Sequence, residues 1–258
     1  MRAISILNFK GGTGKSSVAQ NLGDALARYC GQTVLLIDGD RQSNTTTTLL
    51  GERKHPSLTD VLTNPKVQLV HAMYQARPNL LVIPSDTDLD HATTYLKEHP
   101  RAYYKLRDSL TLLERKGIDM VLIDQAGAYS TTMGALLESC TDMLVPCELE
   151  PYATLGLHDM FEKLGKELED HELHIAGIIP YNTDMSRLMT SGYLTELQQA
   201  YGDALTPQIR TDTAVPYAQS RNMTIFEYEL TSKRKSRAAE DFKHLAHYLL
   251  TRSEGVAG

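Results

Sequence analysis

Apolar residues along this chain keep two alternating rhythms. Compact runs rich in Val, Ile and Leu predict strands at Ala3–Asn8, Thr33–Asp38, Leu80–Pro84, Met120–Asp124, Asp142–Pro146 and His174–Pro180, with a shorter one near Ala204–Ile209. Between them, apolar positions recur every three or four residues. They predict helices over Lys15–Cys30, Ser57–Thr63, Leu89–Leu96, Ala102–Arg115, Thr131–Cys140, Thr154–Leu168, Ser191–Tyr201 and Ser236–Thr251. Most of the strand runs are apolar throughout rather than on alternate residues, the pattern of strands buried on both faces. The alternation therefore predicts an α/β fold: a doubly wound, mostly parallel sheet with helices on both faces. No long Pro/Gly/Ser linker and no internal repeat interrupts it, so one domain is expected over 1–252, with a flexible tail at 253–258.

Composition narrows the class. The 258 residues are 41% hydrophobic and 22% charged, enough to bury one large core. A net charge of −6 excludes a surface coated in positive charge, so nucleic-acid binding would need a local patch. Cys30, Cys140 and Cys147 show no disulfide or zinc spacing, as suits a reducing compartment. No signal peptide precedes the first strand and no apolar run approaches the ~18–20 residues that span a bilayer. A cytoplasmic protein with no membrane span is expected.

The first strand runs directly into Lys10-Gly11-Gly12-Thr13-Gly14-Lys15-Ser16-Ser17, which opens the first helix. Glycines let backbone N–H groups converge on an anion, and the helix N-terminus adds partial positive charge. In such a P-loop, Lys15 reaches the β- and γ-phosphates and the Ser16 hydroxyl ligates Mg²⁺. A P-loop NTPase that binds ATP and Mg²⁺ is the expectation. The usual spacing asks for glycine at position 9, where this chain has Phe9, and it adds a second lysine, Lys10.

Acids end two of the apolar strands. Leu35-Leu36-Ile37 leads into Asp38-Gly39-Asp40, and Met120-Val121-Leu122-Ile123 leads into Asp124. Asp-Gly is a common turn, and an apolar strand closing on Asp is frequent by accident. With a P-loop present, Asp124 has the form of the carboxylate that a buried strand delivers to a Mg²⁺ shell. Gln125-Ala126-Gly127 then keeps the spacing of a γ-phosphate switch, where Gly127 can donate its N–H.

The two-lysine loop resembles the deviant Walker A motif of the ParA/MinD family of ATPases. Asp38-Gly39-Asp40-Arg41-Gln42 is similar to that family's Asp-x-Asp-Pro-Gln segment, with Arg41 in place of proline. Residues 144–157, 209–216, 225–228 and 236–242 resemble ParA-type blocks, so the similarity runs over nearly the whole chain. The resemblance implies that Asp40 positions the attacking water and that Asp38 serves Mg²⁺ or shapes the loop. It implies a sandwich homodimer formed with ATP, in which Lys10 crosses to the partner's phosphates. It places the adenine near Asn182 and Pro216. It also implies binding to nonspecific double-stranded DNA on the nucleoid and a ParB-like or McdB-like adaptor protein. The cargo would be a plasmid, a chromosome or a protein organelle such as a carboxysome.

Lys233, Arg234, Lys235 and Arg237 place four cations in five residues before the last helix, and Arg187, Arg210 and Arg221 are candidates to join them. Such a run is either a solvated face or a phosphate-binding patch. A MinD-like membrane-positioning ATPase would instead need a terminal helix lying on lipid, and the stripe Ala238, Phe242, Leu245, Leu249 raises that alternative. A metabolic P-loop ATPase remains the other alternative.

Overall fold

The computed structural model describes residues 1–167, 171, 173–186 and 188–254. Its strands are β1 (Arg2–Ile6), β2 (Val34–Gly39), β3 (Tyr74–Arg77), β4 (Leu80–Ile83), β5 (Met120–Gln125), β6 (Asp142–Glu148), β7 (His174–Thr183) and β8 (Ile209–Arg210). The helices are α1 (Lys15–Tyr29), α2 (Asn44–Leu50), α3 (Leu58–Thr63), α4 (Leu89–Glu98), α5 (Lys105–Leu110), α6 (Thr131–Leu137), α7 (Ala153–Glu167), α8 (Leu188–Tyr201), α9 (Ala214–Gln219), α10 (Ile225–Ser232) and α11 (Arg237–Glu254). One sheet of eight strands runs in the order β3-β4-β2-β5-β1-β6-β7-β8. Every pairing is parallel except β3 with β4.

The apolar strands explain the layers. Along β2, Val34 and Leu36 pack into one cluster with Leu22 and Leu26 of α1 and Phe242, Leu245 and Leu249 of α11. Leu35 and Ile37 point the other way, to Leu58, Leu62, Leu89 and Leu106. A third cluster, on Met143, Val145, Met160, Leu164 and Leu197, covers the β6–β7 half. The stripe Ala238, Phe242, Leu245, Leu249 is wholly buried, so α11 packs on the core rather than lying on lipid. Among the described residues no helix is long and apolar enough to cross a membrane.

Several expectations need correction. The helix expected over Ala102–Arg115 breaks into α5 flanked by 3₁₀ turns, at Pro100–Tyr104 and Glu114–Lys116. There Ser109 and Thr111 return their hydroxyls to backbone carbonyls, and Gly117 turns the chain at φ 77°. The strand expected near Ala204–Ile209 is a 3₁₀ turn at Gly202–Ala204 followed by the two-residue β8, because Pro207 has no N–H to donate. The last helix continues through Glu254, into the segment expected to be a tail, and residues 255–258 lie outside the described ones.

β1 lies at the centre, between β5 and β6, and the chain leaves it first to one side and later to the other. A crevice opens beyond the carboxyl ends of the strands at such a reversal. The glycine loop follows β1 directly.

Candidate nucleotide site

At the head of β1 the glycine loop turns through Gly12 and Gly14, at φ 80° and 86°, values that a side chain tolerates poorly. Gly14 has a second constraint, since a Cβ there would strike the Tyr181 ring at the end of β7. Gly14 also caps α1 without any side-chain partner, leaving the first amides of the helix for an anion. The Tyr181 hydroxyl donates to Ser17 Oγ at 2.9 Å, so Ser17 is buried and its side chain is committed to the wall.

These elements border a cavity of about 610 Å³. Gly11, Gly12, Gly14, Lys15, Ser16 and Ser17 line its glycine-loop end, which Asp40 and Gly127 also border. Asn182 and Pro216 lie in the same wall. Asn182 adopts φ 55° and donates its side-chain amide to Glu148 at 3.1 Å. Lys15 is almost buried, with Nζ 3.3 Å from the Lys10 carbonyl and 3.7 Å from a Cβ built on Gly127. Burial pulls its pKa below the ordinary lysine value, while the Asp124 and Asp40 charges hold it up.

Lys10 and Thr13 do not line that cavity. They border a second one of about 590 Å³ on the other side of the loop, with Phe9, Tyr152 and Leu155. Lys10 is more than half exposed and pairs with Glu150, a partner that its sequence spacing does not announce. Its amide is fixed by Asn8 Oδ1 at 2.9 Å, and Asn8 in turn donates to the Pro146 carbonyl at 2.8 Å.

The acids divide by burial. Asp124 and Asp38 sit side by side in paired register on β5 and β2, both fully buried. Burial pushes both carboxyls above the usual range, and the Asp124 charge adds to the effect on Asp38. Asp124 Oδ2 accepts from Thr45 at 2.7 Å, and Thr45 Oγ1 accepts from Gln20 at 3.1 Å. Its other oxygen, Oδ1, is buried with no hydrogen-bond partner among the described residues. That orphaned acceptor, beside the Ser16 hydroxyl, fits a hydrated divalent cation.

Of the two roles expected of Asp38, its contacts are those of shaping the loop. Its Oδ2 accepts from both the amide and the hydroxyl of Thr46, each at 2.7 Å, and Oδ1 accepts the Asp40 amide at 3.2 Å. It anchors the loop and α2 and does not itself line the cavity. Asp40 is partly exposed at the mouth, and its Oδ1 accepts from the Gln42 amide at 2.9 Å. Arg41, which replaces the family's proline, reaches across to Asp90 on α4 at 2.6 Å.

Lys233, Arg234, Lys235 and Arg237 are all exposed around the turn between α10 and α11. Arg210 does not join them as a free charge. Its guanidinium is spent on the buried Asp241 at 2.6 Å. Arg221 lies over the rings of Tyr217 and Tyr228 and donates to the Tyr217 carbonyl. Arg187 lies outside the described residues.

Comparison with known proteins agrees with this geometry. A family model described as an AAA domain matches residues 1–175. The chromosome partitioning protein ParA of Caulobacter vibrioides is 30% identical over 98% of this chain and 95% of its own length. The cell division protein PomZ of Myxococcus xanthus is 30% identical over 97% of the chain and 78% of its own. Among solved structures, Cyanothece McdA superposes with a TM-score of 0.81 at 23% identity, covering 96% of this chain and 99% of that one. Similarity sustained through the C-terminal helices, as well as through the glycine loop, makes this chain a ParA-like member of the ParA/MinD family of P-loop ATPases.

Proposed function

We infer that the protein hydrolyses ATP with Mg²⁺ and that ATP joins two copies face to face. The dimer binds duplex DNA without sequence preference and positions a cargo through an adaptor. The cargo is a plasmid, a chromosome or a protein assembly, with a ParB-like or McdB-like partner to match.

The observation that carries this reading is the position of Lys10. A lysine meant for its own phosphates would line the same cavity as Lys15. Lys10 instead stands outside it, more than half exposed, with its ammonium held by Glu150. From there the phosphates of a facing copy would take it over by displacing Glu150, and a cation delivered in trans offsets the charge developing on the transferred phosphoryl group.

Within one copy, the α1 amides and Lys15 bind the β- and γ-phosphates, and Gly127 offers an N–H close to Lys15. Ser16 and Asp124 would hold Mg²⁺, which when bound neutralises phosphate charge. Asp40, at the mouth, orients the attacking water. Asp38 keeps the Asp40 loop in place through its bonds to Thr46 and the Asp40 amide.

Light scattering with and without MgATP, on the wild type and Lys10→Ala, tests this. The wild type should double in mass with MgATP. Lys10→Ala should stay monomeric while still binding ATP in calorimetry. A wild type that stays monomeric with MgATP would sink the facing-dimer reading.

A further inference from the structure

The segment from Arg210 to Pro216 does two things at once. One side of it forms part of the cavity wall, beside Asn182. It is pinned there by the Thr211 amide on the Thr183 carbonyl and the Thr211 hydroxyl on the Asn182 carbonyl, each at 2.9 Å. Its other side reaches the start of α11. Asp212 Oδ2 accepts from Ser236 Oγ at 2.8 Å and from the Ala238 amide at 3.3 Å, while Oδ1 accepts from Ala214 at 2.9 Å. Burial alone would raise the Asp212 carboxyl, but these bonds hold it below the usual range. Arg210 adds a second tie, through Asp241 on α11.

The basic turn is thus fastened at its far end to the nucleotide cavity wall. Its other tie is to α10, whose Glu229 accepts from the Ser236 amide at 2.5 Å, and α10 is itself fastened at its start. α10 receives its entry from α1, the P-loop helix: Asn21 Oδ1 accepts from the Ile225 amide at 2.7 Å, and Thr224 donates to Asp24 at 2.5 Å. Lys233, Arg234 and Lys235 therefore hang between two helices, one hydrogen-bonded to the cavity wall at Asp212 and the other to the P-loop helix α1. Arg237 borders a further cavity of about 530 Å³ whose wall includes Arg210, Thr211, Asp212 and Thr213.

We propose that Asp212 is a positioning residue that passes the state of the nucleotide cavity to the basic turn 233–237, through the Ser236 hydroxyl and the first amides of α11. Nucleotide settling against the 210–216 segment fixes Asp212, and Asp212 fixes the turn that presents the cations. This coupling acts inside one copy and is separate from the doubling of charge that a dimer brings. It rests on the reading above that the cavity takes ATP and that the turn meets DNA.

Ser236 is the place to test it, because its hydroxyl carries the link and it lines neither the nucleotide cavity nor the basic surface. Amide hydrogen exchange on the full chain, with and without MgATP, reads the turn directly. In the wild type, MgATP should slow exchange across residues 233–240 by about fivefold or more, the low end of measured coupling between sites. Ser236→Ala should keep its MgATP affinity within about twofold yet lose that slowing, and Ser236→Thr, which retains a hydroxyl, should recover it. A purely structural cap would loosen the turn equally with and without nucleotide. Slowing that persists in Ser236→Ala, or is absent from the wild type, overturns the proposal. Slowing without any DNA binding at low salt supports the coupling and overturns the DNA reading instead.

Discussion

The roles proposed for Asp40 and Lys15 are the two that single substitutions separate most cleanly. Asp40 is the acid left partly open at the mouth, whereas Asp38 and Asp124 are buried. Asp40→Ala should lower steady-state ATP turnover by about 100-fold or more, the usual scale for losing a positioned proton acceptor. Nucleotide binding should be retained, so equilibrium titration with a fluorescent ATP analogue should give nearly the wild-type affinity. Turnover at the wild-type rate would remove Asp40 from the chemistry. Lys15→Ala removes a nearly buried cation aimed at the phosphates and should weaken MgATP binding by about 10–100-fold, as for a lost charge-assisted hydrogen bond. Calorimetry showing undiminished affinity would contradict the P-loop assignment. Asp38→Ala should act differently from both: with Thr46 and the Asp40 amide released, it should destabilise the fold as well as slow turnover. At this scale the glycine loop, Asp40 and Asp124 were legible because motif spacing states them. Thr45, Gln20, Glu150 and the contact of Tyr181 with Ser17 were not. Each becomes part of the site only by meeting a residue far away in sequence.

Among the elements, long and strongly periodic ones were readable, and short ones built by tertiary contacts were not. α2 is the clearest case. Four consecutive threonines, Thr45–Thr48, disfavour a helix, yet Thr45 and Thr46 hydroxyls are bound by buried carboxylates of neighbouring strands. Only the folded sheet supplies those acceptors. α10 did carry a local signal, since Thr224-x-x-Glu227 forms a capping box at its start. Glu227 also accepts from Arg77 at 3.0 Å, joining α10 to the edge strand β3. Glu227→Ala should therefore lower unfolding stability by about 2 kcal/mol in urea melts, combining a lost cap with a half-buried arginine left unpaired. Burial raises the Glu227 carboxyl, but Arg77 and the Thr224 amide outweigh it and set the folded pKa below its usual 4.5. Its stabilising share is thus complete above the unfolded pKa and falls away as pH drops through the folded one. Glu227→Gln should flatten the acid side of the stability–pH curve, and an unchanged curve would show that the ion pair contributes little.

For the whole molecule, the doubly wound and mostly parallel character of the sheet was legible, because apolar strands alternating with amphipathic helices leave few other arrangements, but its strand order was not. The antiparallel β3 was not, being four residues at an edge with no buried run. Duplex DNA binding, if the four exposed cations meet phosphates in an ATP-joined pair, should fall by about 10⁴-fold between about 50 and 200 mM salt. Lys235→Ala should reduce the slope of log affinity against log salt by about 2 in such a pair, one unit for each copy. Binding indifferent to salt would exclude the patch. The two ends of the sheet set a separate limit on how copies meet. At one end β3 runs against its neighbour with a register break between Gln75 and Arg77, and at the other β8 is only two residues long beside a second break. Neither margin offers a long, straight row of unpaired amides for another chain to extend. Such blunted borders disfavour open-ended stacking strand by strand, even at the high local concentrations reached when many copies crowd onto one surface.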